Sequence, residues 1–199
     1  EDAMIRLDMN EYSTEDSVRL LIGSPDAGES SAEGFLAKRV QDRPFSLVLL
    51  DEIEKAHPKV LNLFLQILDE GQLIDSFGMK TDFRNTIIIA TSNAGALFVR
   101  EYVKAHAQDI QHSAFKRVLV DTILKEKVFS PEFLNRFDEV ILYRPLSLAD
   151  AKRVGLLMLD SVVAELSEHR GIKLRIEESV VDTLVERGYS SEFGAREMR

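Results

Sequence analysis

The stretch Leu47-Val48-Leu49-Leu50-Asp51-Glu52 limits the fold more than any other segment. Four apolar residues in a row, closed by two adjacent carboxylates, suit a strand buried on both faces of a parallel sheet. Ligands of open parallel sheets bind outside the carboxyl ends of the strands. Asp51 and Glu52 therefore emerge where a bound nucleotide would lie. A carboxylate at that place suits Mg²⁺, a hard cation that takes carboxylate and water oxygens, so Asp51 is the candidate metal ligand. Glu52 is placed to orient or deprotonate a water that attacks a phosphoryl group. The competing reading is a strand ending in a solvated acidic turn, and these six residues alone do not separate the two.

The neighbouring segments support a sheet alternating with helices. Strand candidates are residues 3–9, 46–50, 86–90 and 139–143, and Thr86-Ile87-Ile88-Ile89-Ala90 is rich in β-branched residues. A helix lies between the second and third of them. Pro58 sits in its first turn, where a missing N–H does no harm, and Gly71 is placed to cap its end. Residues 23–34 and 71–82 read as loops, the second with a turn at Gly78. Residues 97–128 read as amphipathic helix, and Ser130 before Pro131 reads as an N-cap. Beyond Pro145 the pattern changes to a helix over about 148–169, a short strand over 172–176 and a helix over 178–187. The expected organisation is a large α/β domain over 1–145 and a small α-rich domain over 146–199.

Charge and composition remove other classes. The formal net charge is −9, which argues against a nucleic-acid partner, since such domains carry a basic face. Cysteine is absent, so disulfides and thiolate zinc sites are excluded, and no histidines pair at metal-ligand spacing. The apolar runs are too short to span a bilayer, and no leader pattern opens the chain, so no membrane partner and a cytoplasmic location are expected. The first strand begins abruptly and no stop signal closes the chain, which reads as a piece of something longer.

Four motifs, in order, carry a family resemblance along almost the whole chain. Leu50-Asp51-Glu52-Ile53-Glu54-Lys55-Ala56-His57-Pro58 resembles the Walker B segment of Clp-type AAA+ unfoldases. Asp82-Phe83-Arg84-Asn85-Thr86, followed by Thr91-Ser92-Asn93, resembles their sensor 1 region. Phe133-Leu134-Asn135-Arg136-Phe137-Asp138-Glu139-Val140 resembles their arginine-finger segment, and Gly188-Tyr189 with Gly194-Ala195-Arg196 their sensor 2 motif. The likeness is strongest to the C-terminal ATPase module of the ClpB/ClpC group. It implies a P-loop NTPase (AAA+) fold, a parallel sheet with flanking helices plus a small lid domain. It implies ATP and Mg²⁺ as cofactors, with Glu52, Asn93 and Arg136 catalytic and Asp51 and Arg196 on the nucleotide. Asn93 would hold the attacking water or the γ-phosphate through its amide. Arg136 would reach a neighbouring subunit's nucleotide, and Arg196 would contact the γ-phosphate of its own. The family further implies a ring homo-oligomer, a hexamer, acting on polypeptides, in some members with a peptidase ring. Each residue also has a plainer reading: a turn-forming Asn93, an Arg136 paired with Asp138 or Glu139, and an exposed helix-end Arg196.

The chain departs from the family pattern twice. No GxxxxGK[ST] occurs, and that loop supplies most phosphate contacts, so this chain by itself is expected to be inactive. The family's aromatic Gly-Tyr-Val-Gly pore segment is replaced by Pro25-Asp26-Ala27-Gly28-Glu29-Ser30-Ser31-Ala32-Glu33-Gly34, which has no aromatic residue. Phe35, the nearest ring, reads as core. Phe77-Gly78-Met79-Lys80 is a second candidate pore element. The acidic loop motivates an alternative, a ring subunit that scaffolds or regulates without threading. Arg84, Glu54 and Lys55 read as interface or approach residues without a phosphate role.

Overall fold

The computed structural model describes residues 3–24, 34–106, 113–190, 195 and 198. It divides into two compact units, Glu1–Ile141 and Leu142–Arg199. The first unit runs β1 (Met4–Asp8), α1 (Ser17–Ile22), α2 (Phe35–Asp42), β2 (Leu47–Asp51), α3 (Pro58–Glu70), β3 (Gln72–Ile74), β4 (Lys80–Asp82), β5 (Ile87–Ala90), α4 (Ala96–His106), α5 (Ser113–Lys125) and α6 (Pro131–Leu134). The second holds α7 (Leu148–Arg170) and α8 (Glu178–Gly188).

Three strands form a parallel sheet in the order β1-β2-β5. The apolar run predicted as a strand is its centre. Val48 and Leu50 are fully buried, as is Leu7 of β1 almost completely. The expected burial on both faces is not reached: β1 alternates exposed and buried residues, Leu47 and Leu49 of β2 are only half-buried, and Ile87 of β5 remains 64% exposed. The register sets Asp8 opposite Asp51 and Leu50 opposite Ala90. All three strands therefore end at one level, and the residues that follow them meet there.

Helix α3 follows the signals in its sequence. Pro58 occupies its first turn, the His57 ring nitrogen Nδ1 accepts the Lys59 N–H, and Gly71 closes it at φ 65°. Its Val60, Phe64 and Ile67 are buried, one face of a 3.6-residue period. Helix α1 packs on α2 and α3. Gly34, which precedes α2, lies so close to the Leu21 carbonyl that an added Cβ would stand 2.3 Å from its oxygen. No larger residue fits there.

Several expectations are corrected. Residues 71–82 are not a plain loop but an antiparallel hairpin, β3 with β4. Its tip is tight: the Asp75 carboxylate accepts the N–H groups of Phe77 and Met79, and Gly78 adopts φ 80°. Residues 139–143 and 172–176, predicted as strands, have no regular secondary structure and join no ladder among the described residues. Their β-prone composition has no neighbouring strand to bond. The predicted helix over 97–128 is two helices, α4 and α5, with residues 107–112 outside the described set. Phe35 is not core: it is 42% exposed at the start of α2, with the Arg39 guanidinium 5.2 Å from its ring centre.

In the second unit, α7 begins with a capping box. The Ser147 hydroxyl accepts the Asp150 N–H and the Asp150 carboxylate accepts the Ser147 N–H. The Ser147 hydroxyl, which donates to the Asp150 carboxylate, and then the Ser147 N–H hold that carboxyl below its ordinary range. Gly171 ends the helix at φ 64°. Ala151, Val185, Ala195 and Met198 form the unit's core. Tyr189 donates its hydroxyl to the Leu146 carbonyl, which ties the end of α8 to the segment before α7.

Candidate functional site

Asp51 and Glu52 leave β2 into a turn that is held from both sides. Glu52 has φ 55° and ψ 52°, the left-handed region that a residue with a Cβ seldom enters. Thr91, the first residue after β5, grips this turn. Its N–H donates to the Leu50 carbonyl at 2.9 Å, and its carbonyl accepts the Ile53 N–H at 2.9 Å. Its hydroxyl accepts the Glu52 N–H at 3.0 Å and donates to Asp51 Oδ1 at 2.6 Å.

The Glu52 carboxylate lies between two amides. Asn10 Nδ2 donates to its Oε2 at 2.8 Å, and Asn93 Nδ2 donates to its Oε1 at 3.2 Å. Asn10 is itself fixed by Asp8, whose Oδ1 accepts both its backbone N–H at 3.0 Å and its Nδ2 at 2.8 Å. The Asn93 backbone N–H donates to Glu54 Oε1 at 3.0 Å, while Glu54 Oε2 is buried without a hydrogen-bond partner among the described residues. Arg6 Nη2 donates to Asp51 Oδ2 at 2.6 Å. The ends of all three parallel strands thus converge on one acid pair.

This arrangement brings together Asp51, Glu52 and Asn93, three of the residues singled out by sequence. It adds Asn10 and Arg6, which sequence reasoning missed, and Thr91, which the sequence named only as part of the sensor 1 resemblance and without a role; Glu54 gains a specific contact with the Asn93 N–H. The signal for Asn10 was present only indirectly, as an amide just past the end of the first predicted strand. Arg136 is not part of this cluster. Its Nη1 pairs with Asp69 Oδ1 at 3.0 Å, at the far end of α3, about 16 Å along the helix from Pro58. The partner differs from the expected Asp138 or Glu139, and Glu139 instead pairs with Lys116, which holds its carboxyl below the usual range. Arg84 chelates Asp82 with its side chain and lowers that carboxyl to about 2, in keeping with a structural role. Arg196 and most of the 25–34 loop lie outside the described residues.

The donor set can be tested against Mg²⁺ and ATP. No group of three or more His, Cys, Asp or Glu side chains gathers as a cage among the described residues. A lone carboxylate at a strand end fits Mg²⁺, which is held by one or two carboxylates with phosphate oxygens and waters. Asp51 fits that role and already faces one cation, Arg6. Glu52, held by neutral amides rather than by a cation, keeps acceptor capacity for a water proton. The residues therefore fit the metal-holding and water-orienting part of a nucleotide site. The sequence has no GxxxxGK[ST] to cradle phosphates.

A parallel α/β sheet whose strand ends present an Asp-Glu pair, steadied by an asparagine just past the adjacent strand, matches the metal-holding side of a nucleoside-triphosphate site. The chain belongs to the AAA+ family, as a Clp-type module. The family model described as AAA domain (Cdc48 subfamily) matches residues 1–140, and the model of the C-terminal, D2-small domain of ClpB protein matches residues 146–199. Among relatives, the chaperone protein ClpB of Aquifex aeolicus is 42% identical over 201 residues, covering 100% of this chain and 20% of that protein. The chloroplastic chaperone protein ClpC2 of Arabidopsis thaliana is 43% identical over 206 residues, covering 100% of this chain and 21% of its own length. A ClpA homolog of Cyanidium caldarium, an ATP-binding subunit of the ATP-dependent Clp protease, is 41% identical over 207 residues, covering 100% and 24%. The chain spans about a fifth to a quarter of the length of these relatives. No described helix is long and apolar enough to cross a membrane.

Proposed function

We propose that this module hydrolyses ATP within a longer, ring-forming protein and uses the energy to remodel polypeptides. The observation that carries the reading is the Glu52 carboxylate suspended between Asn10 and Asn93 at the carboxyl ends of the sheet. Bound Mg·ATP would supply an electrophilic γ-phosphate with its charge partly neutralised. Asp51 would hold the metal. Glu52 would orient a water and take its proton, and Asn93 would keep the carboxylate and that water in line. Arg136 would leave Asp69 to act on the nucleotide of an adjacent subunit, and Arg196 would serve its own subunit's nucleotide. The domains meant here are 1–145 and 146–199, and the assembly is a hexamer in the cytoplasm.

The test is Glu52→Gln in the full-length protein. General-base removal of this kind is expected to lower kcat about 10²–10⁴-fold while ATP still binds. Undiminished turnover excludes Glu52 as the base.

A second reading is favoured by one feature, the acidic loop 25–34 without an aromatic residue. In that reading the ring binds partners and turns over ATP without threading. Phe77 and Met79, both about half exposed at the tip of the β3–β4 hairpin, favour threading instead, since they offer apolar contact to an extended chain. Unfolding of a tagged substrate by the full-length protein rejects the scaffold reading. A peptidase ring as partner stands on resemblance alone.

A further inference from the structure

Thr91 does more than end a strand. Its hydroxyl has one proton, and that proton goes to Asp51 Oδ1, while the same oxygen accepts the Glu52 N–H. One side chain therefore touches both acids of the site. Its backbone meanwhile fixes Leu50 and Ile53, the residues on either side of the pair.

The conformation so held is unusual. Among the described residues only Glu52 and Lys127 are non-glycine residues with positive φ, and Lys127 lies just past the end of α5, where helices commonly close this way. Glu52 closes no helix. A left-handed residue with a Cβ persists only where its surroundings over-determine it. The surroundings here include four hydrogen bonds with Thr91, two that it donates and two that it accepts, and the Lys55 N–H on the Glu52 carbonyl. The left-handed turn is also what directs the Glu52 side chain to Asn10 and Asn93.

We infer that Thr91 is a positioning residue for ATP hydrolysis: its hydroxyl latches the Asp51-Glu52 turn in the left-handed form that aims the Glu52 carboxylate at the attacking water. The inference rests on the proposed role of Glu52. Valine at position 91 keeps the shape and both backbone bonds. It leaves the Glu52 N–H without its acceptor and Asp51 Oδ1 without this donor, so the turn relaxes toward negative φ and the carboxylate leaves its two amides. Serine keeps the hydroxyl.

The experiment compares Thr91→Val, Thr91→Ser, Glu52→Gln and the Thr91→Val/Glu52→Gln pair in the full-length protein, by steady-state ATP hydrolysis and by binding of a fluorescent ADP analogue. Thr91→Val is expected to lower kcat about 30-fold with KM for ATP within about twofold, and Thr91→Ser to stay within about threefold of the parent. Because the latch acts through Glu52, the double variant is expected to be no slower than Glu52→Gln alone. Parent-like kcat in Thr91→Val, equal losses in the valine and serine variants, or losses that multiply in the double variant each overturn the inference. Full activity in Glu52→Gln overturns the underlying reading instead, and the latch with it. Thr91→Ala, which removes the hydroxyl without a branched replacement, carries the same comparison if the valine variant does not bind ADP.

Discussion

Replacing Asn10 with alanine removes one of the two side chains that hold the Glu52 carboxylate. The lost contact is the shorter of the pair, 2.8 Å against 3.2 Å for Asn93. Both Nδ2 hydrogens of Asn10 are in use, one on Asp8 and one on Glu52. A hydrogen bond to an ionised group contributes about 1.5–3 kcal/mol, and partial exposure of the site reduces that to about 1–1.5 kcal/mol. At about 1.4 kcal/mol per factor of ten, Glu52 would spend roughly five- to tenfold less time in its aimed position. The expected result in the full-length protein is a kcat about five- to tenfold lower, on the order of that population change, with KM for ATP unchanged. Asn10→Asp should cost more, because a third carboxylate then faces Asp8 and Glu52. Steady-state hydrolysis across an ATP series separates kcat from KM. An unchanged kcat, or a raised KM with kcat intact, refutes the assignment of Asn10 to Glu52.

Three further outcomes follow from the same geometry. Arg136→Ala should reduce turnover about 10³-fold or more, whereas Asp69→Asn, which only frees Arg136, should not reduce it; equal losses in a hydrolysis assay would make the pair structural. Asp82 has its carboxyl lowered from 3.8 to about 2, chiefly by the hydrogen bond from Arg84. A depressed folded value means its contribution to stability is complete above the ordinary value and is lost as pH falls from about 4 through about 2; a carboxyl-carbon NMR titration should show that midpoint, and Arg84→Ala should raise it toward the ordinary value without fully restoring it, since the backbone N–H of residue 84 still donates to the carboxylate. Phe64→Ala empties a fully buried position on α3 and should destabilise the first unit by about 3–5 kcal/mol, read as a lowered midpoint in denaturant unfolding.

What the amino-acid sequence made legible was local. The run Leu47–Leu50 announced the central strand because four apolar residues in a row suit no exposed element. Pro58, Gly71 and Gly171 act through their own backbone and Ser130 through its hydroxyl, which accepts the nearby Phe133 N–H, so α3, α6 and the end of α7 could be read residue by residue. What stayed hidden depends on register. Asn10 reaches Glu52 because β1 pairs with β2 so that Asp8 stands opposite Asp51, a relation between segments 42 residues apart. Thr91 meets the acids by the same logic across β2 and β5. The three-residue strands β3 and β4 are too short for alternation to be visible, and their turn chemistry resembled a plain loop. Residues 139–143 and 172–176 failed in the opposite sense: composition suited a strand, but a strand exists only with a partner to bond.

The most direct measurement is a structure of the full-length Glu52→Gln protein with ATP and Mg²⁺ bound. The expected structure has the Asp51 carboxylate on the metal, directly at about 2.1 Å or through one of its waters. The amide introduced at position 52, the Asn93 amide and a water are expected in line with the γ-phosphate. A nucleotide seated elsewhere, with the side chains at positions 51 and 52 facing away from its phosphates, would contradict it.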